Sequence, residues 1–173
     1  MNKLRNLLLI LFLATTVNVF SQNKEDALKD AKTISKATLA YDFDTVLKYT
    51  LPKALEMMGG KEAAKEILTS TFEGMTSQGF KFEKHEVIGV SDVVKEQNQY
   101  RCVVESYGQM VMPGQRIKTK SYLVGIYNDE GKHWWFIEAK QLKNEAVADQ
   151  LLPGFETALE LKDDETEVEP IVD

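Results

Sequence analysis

Cysteine is almost absent from this chain: Cys102 stands alone among 173 residues. One thiol cannot close an internal disulfide, so the core must hold the fold unaided. Histidine is nearly as scarce. His85 and His133 are far apart and have no cysteine beside them, which argues against a structural zinc site. The chain has no Gly-x-Ser-x-Gly, and Gly59-Gly60-Lys61 is followed by Glu62 where a phosphate loop needs Ser or Thr. Acidic runs such as Asp163-Asp164-Glu165 lack the spaced ligands and glycine of a calcium loop. No cofactor is expected from these motifs. Basic residues are outnumbered, 21 against 27 acidic, for a net charge of −6. That balance argues against nucleic acid and anionic membranes as partners.

Long apolar runs are missing, with one exception. Leu7 to Ala14 follows Lys3 and Arg5 and precedes the small residues Val19 and Ser21. This is the pattern of a secretory signal peptide over Met1–Ser21, and it predicts export to a periplasmic or extracellular location. A membrane anchor fits less well, because Asn6 to Phe20 falls short of the ~20 apolar residues that a span needs and contains Asn6, Thr15, Thr16 and Asn18. No cysteine near the cleavage site offers a lipid anchor, and no later stretch could span a membrane.

Helical spacing comes first in the remainder. Ala27, Leu28, Ala31, Ile34, Ala37 and Tyr41 recur every three or four residues and predict a helix over Lys24–Tyr41. Asp42 or Asp44 can cap a short helix over Thr45–Tyr49, and Pro52 suits the first turn of another that ends at Gly59-Gly60. A longer helix is predicted from Lys61 to about Ser77, with Gly79 as its stop. The period then becomes two. Strands are predicted over Phe80–Val90, Gln99–Met112, Arg116–Tyr127 and His133–Gln141, with a turn at Pro113-Gly114. Cys102, between Tyr100 and Val104, reads as a buried inert thiol. Asn144–Leu152 suits a short helix, and Leu151, Leu152 and Phe155 are expected to dock on the domain. These elements make one α+β domain over residues 22–159. Residues 160–173, mostly Glu, Asp, Thr and Val, are expected to form a disordered acidic tail.

The hairpin 116–142 carries the sharpest expectation. With Asp129-Glu130-Gly131 as a three-residue loop, Asn128 faces Lys132 and Tyr122 faces Glu138. One face then holds Tyr122, Val124, Ile126, Trp134, Phe136 and Glu138, and the other holds Ser121, Leu123, Gly125, Trp135, Ile137 and Ala139. A loop one residue longer slips the pairing but leaves both faces apolar. A sheet with one wet face would alternate, so both faces should be covered. Helices can cover one. A second subunit in a homodimer, the Leu151–Phe155 segment or a small apolar ligand must cover the other.

The leading helix ending in Ala40-Tyr41-Asp42-Phe43-Asp44, the helix 61–77 and the aromatic hairpin Tyr122–Glu138 together resemble the nuclear-transport-factor-2-like (cystatin-like) cone fold. That resemblance implies N-terminal helices packed on a curved antiparallel sheet of about four strands. Residues 128–138 and Leu152-Pro153 are also similar to uncharacterised secreted proteins of the Bacteroidetes. The cone fold hosts isomerases, dehydratases, hydrolases and non-catalytic binding domains, so it implies a place to look rather than a reaction. Two readings follow. In the first, Tyr122, Val124, Ile126, Trp134 and Phe136 form a non-catalytic ligand or interface surface. In the second, Glu138 beside an apolar wall acts as a base, with Tyr122 as a donor, in a small-molecule lyase or isomerase. A third makes the acidic tail an arm for a cell-envelope partner.

Overall fold

A computed structural model describes residues 23–171. The leader expected over Met1–Ser21 lies outside the described residues. Among the described residues four helices come first: α1 Lys24–Leu39, α2 Phe43–Lys48, α3 Pro52–Met57 and α4 Lys61–Ser77. Each boundary has a local cause. The Asn23 side chain accepts the Asp26 N–H at 2.9 Å to cap α1, and Asp42 accepts that of Thr45 at 3.2 Å to cap α2. Proline opens α3, and Gly59 and Gly60, at φ 91° and 96°, break the chain before α4. α4 is only lightly packed: Ala64 is buried, but Ile67 is 48% exposed.

The sheet is antiparallel and has six strands where about four were expected: β1 Lys81–Val90, β2 Val94–Glu96, β3 Gln99–Met112, β4 Gln115–Asn128, β5 His133–Glu138 and β6 Glu165–Pro170. β3 and β4 form its long centre, joined by Pro113-Gly114 with Gly114 at φ 78°. β1 and β2 pair with β3, while β5 and β6 lie end to end along β4. β2 was not anticipated. It closes on β3 through Gln97 and Asn98, both at positive φ and without the glycine that usually announces such a turn. The fourth strand ends earlier than Gln141, because Ala139 and Leu142 turn into a short helix, α5 (Ala139–Leu142), that buries both side chains. A further helix, α6, follows at Glu145–Leu151, capped by Asn144.

Residues 160–173 are not a disordered tail over their described part. β6 pairs residue for residue with β4, setting Glu165, Glu167 and Glu169 opposite Lys120, Lys118 and Arg116. Lys118 forms an ion pair with Glu169, and Lys120 Nζ lies 3.3 Å from Glu165. Just before the strand, Asp163 pairs with Lys143, and Asp164 accepts the Tyr122 N–H at 3.3 Å. Low hydrophobicity signals disorder only when no partner supplies the missing energy; here a basic row on β4 does so together with ladder hydrogen bonds.

Two cores result, one on each side of the sheet. Ala27 and Ala31 of α1 pack on Val90, Cys102, Val104, Tyr127, Trp134 and Phe136. Asp30 ties the layers together by accepting the Trp134 N–H at 2.9 Å. On the opposite face, Leu51, Leu142, Ala148 and Leu151 pack on Tyr122, Val124, Ile126 and Ile137, with Leu152 and Phe155 partly buried against them. The hairpin is therefore covered on both faces, as its double apolarity required. Of the three covers considered, the C-terminal segment is the one in place.

Candidate functional site

The residues expected to form a ligand surface are divided between these cores. The closing pair of the hairpin is Asn128–His133, so the loop has four residues, 129–132, and Lys132 rather than Gly131 takes the left-handed conformation at φ 52°. Gly131 is needed for a different reason: a Cβ there would lie 2.4 Å from the Asn128 amide. This register places Trp134 opposite Tyr127 and Phe136 opposite Gly125 on the α1 side, and Val124 opposite Ile137 on the other. Tyr122, Val124, Ile126, Trp134 and Phe136 are all buried. They build the fold and do not form one surface.

The same slip separates the acid from the phenol. Glu138 faces Leu123, is 49% exposed and lies 3.0 Å from Lys140 Nζ. The carboxylate beside Tyr122 is Glu105, its neighbour across β3 and β4. Glu105 and Tyr122 line a cavity of about 300 Å³ under residues 159–162, where Lys162 Nζ stands 6.0 Å from the Tyr122 ring centre. Lys120 Nζ is 3.9 Å from Glu105.

Both histidines have polar neighbours close at hand. His85 Nδ1 is 3.1 Å from Ser35 Oγ, and that hydroxyl donates to the His85 carbonyl. Ser35 is thus committed to the α1–β1 packing, and burial pushes the His85 imidazole below its ordinary value. His133 Nδ1 lies 3.0 Å from the Gly131 carbonyl. Cys102 is fully buried, as expected, and burial pushes its thiol up to about 12. Among the described residues, no three His, Cys, Asp or Glu side chains group to hold a metal.

A candidate site lies where α1, α2 and α4 meet. α1 ends at Leu39 with Ala40 as its cap, and Tyr41 reverses the chain at φ 55°, an unusual conformation for a bulky residue and a local strain. Asp42 then opens α2, its second oxygen accepting the Thr45 hydroxyl at 2.6 Å. These two bonds hold the Asp42 carboxyl below the usual carboxylate range. The turn brings Tyr41 and Phe43 to Phe72 of α4, with ring centres at 5.8 and 5.2 Å. Phe72 in turn contacts Phe80 and Phe82 of the strand entry at 6.1 and 5.7 Å. Tyr41, Phe43 and Phe72, with Thr69 and Thr76, wall a cavity of about 520 Å³. Its charged lining is Asp42, Asp44, Lys65 and Glu73, and Lys65 Nζ lies 2.6 Å from Asp44. The sequence signal of this site is two aromatics, Tyr41 and Phe43, flanking Asp42 at a helix junction, with Phe72 on the helix that packs against them.

Compared with protein-family models, with curated proteins and with solved structures, the chain matches none. Among the described residues, no helix is long and apolar enough to cross a membrane.

Proposed function

We propose that this chain is an exported, non-catalytic binding domain of the cone type that holds a small apolar molecule in the Tyr41–Phe43–Phe72 cavity. The observation that carries the reading is the cavity itself. Three aromatic rings wall about 520 Å³, within the range of small-molecule sites, at a turn strained enough to orient Tyr41. Export is supported by the Lys3–Ser21 pattern. The cone type is supported by α1 lying on one face of an antiparallel sheet whose first strand carries register shifts at 82–84 and 87–89, which bend a strand. The non-catalytic reading is supported by the exposed, lysine-paired Glu138 and the committed Ser35–His85 pair.

A neutral aromatic probe tests the cavity. Titration of 2-naphthalenemethanol into the isotopically labelled protein should shift resonances of Tyr41, Phe43, Thr69 and Phe72. Thr69→Trp, which fills the cavity, should abolish those shifts and leave the remaining spectrum in place. Shifts confined to other regions, or none at millimolar probe, would discard the reading.

A further inference from the structure

Resting on that cavity reading, we infer that its ligand carries a positive charge: a small amine or quaternary ammonium on an apolar, preferably aromatic, body. The charged lining is unbalanced, with three carboxylates, Asp42, Asp44 and Glu73, against one ammonium, Lys65. Lys65 is not available to an incoming anion, because Asp44 holds it at 2.6 Å. Asp42 keeps its charge through the two bonds from Thr45. Glu73 is exposed and makes no ion pair among the described residues, so its charge is free to act on whatever enters.

The walls point the same way. Tyr41, Phe43 and Phe72 line the cavity, and the negative quadrupole of an aromatic ring attracts a cation within about 6 Å of it. A cation that sheds part of its water against these rings recovers the loss from the nearby carboxylates, whereas an anion meets the carboxylates with the wrong sign. A neutral apolar molecule gains the burial alone. The chain's net charge of −6 adds long-range attraction for cations. Apolar walls with an acidic lining thus select for charge as well as for shape.

Three probes with one naphthalene body separate these contributions: 2-naphthylmethylamine, 2-naphthalenemethanol and 2-naphthoate, each titrated by nuclear magnetic resonance. The amine should bind about tenfold more tightly than the alcohol, and the carboxylate more weakly than either. Glu73→Gln should reduce the amine's advantage about threefold without changing the alcohol's affinity, while Glu130→Gln, in the β4–β5 loop outside the cavity, should leave both unchanged. Equal binding of all three probes at Tyr41 and Phe72 would overturn the charge selection and leave the apolar site standing. An amine preference equally sensitive to Glu130→Gln would also overturn it, since the preference would then belong to the whole molecule. Failure of all three to perturb the cavity would overturn both the selection and the site.

Discussion

Arg101 shows how one side chain can decide where a whole segment lies. It is buried, and its guanidinium donates to Gln97 at 2.8 Å, to Gln99 at 2.8 Å and to the Glu156 carbonyl at 2.7 Å. Glu96 lies 3.6 Å away and the Phe155 ring stacks at 4.8 Å. The residue therefore fastens the segment after α6 to the sheet with both charge and plane. Arg101→Ala would leave these acceptors unpaired and should cost about 3 kcal/mol of stability in denaturant unfolding. Amide exchange across 152–164 should rise more than elsewhere. Lysine should rescue little, because it lacks the planar fork. Gly125 is critical for the opposite reason, since nothing larger fits. A Cβ there would lie 2.9 Å from Cys102 Sγ, 3.1 Å from Phe136 and 3.2 Å from Trp134. Gly125→Ala should destabilise by about 1–3 kcal/mol, and adding Cys102→Ala should restore part of that loss, a coupling that a double-mutant cycle on thermal unfolding would read.

At the level of the element, β6 is the clearest case of a strand made by its partner. Its only large apolar residue, Val168, is 54% exposed, so burial does little to place it. Alternating glutamates facing Arg116, Lys118 and Lys120 set the register instead. Changing Glu165, Glu167 and Glu169 together to glutamine should speed amide exchange in β6 at least tenfold and leave β5 untouched. High salt should move the unaltered protein in the same direction. If β6 amides keep their protection in the triple variant, ladder hydrogen bonds alone suffice. α1, by contrast, needs no distant partner to be recognised. Its capped start and its Ala27–Ala31 face are written in adjacent turns.

For the whole molecule, acid should act in two steps. Burial holds His85 below 6.5, its ordinary value, so the folded state binds its proton less readily than the unfolded chain does. Stability from this group is complete above 6.5 and falls as pH drops through that value. Glu83, bonded by Arg116 and Gln109, is held at about 2 against an ordinary 4.5; its contribution is complete above 4.5 and is lost on the way down to about 2. Denaturant midpoints measured between pH 8 and pH 3 should therefore decline first near 6.5 and again below 4.5. His85→Gln should flatten only the first step. A single decline confined to pH below 4.5 in the unaltered protein would remove His85 from this account.

Much of the molecule follows from neighbouring residues alone. Caps, proline, glycine and the change from period 3.6 to period 2 determine which segments become helices and strands, because those signals act within a few residues. Covered faces on both sides of the hairpin were legible for the same reason: Tyr122 to Tyr127 and Trp134 to Ile137 have no polar side to turn to water. The Leu151–Phe155 segment was legible as one of three covers for the second face, but which residues share a face was not. A register one residue off moved Glu138 away from Tyr122, and it turned on Lys132 taking a left-handed conformation that glycine beside it would ordinarily take. β6 depended on charges some fifty residues earlier in the chain, and the aromatic cavity on three helices meeting at a strained turn. Local propensity is a matter of adjacent backbone and side-chain sterics; register, cover and cavity are settled by packing between segments that composition and spacing never bring together.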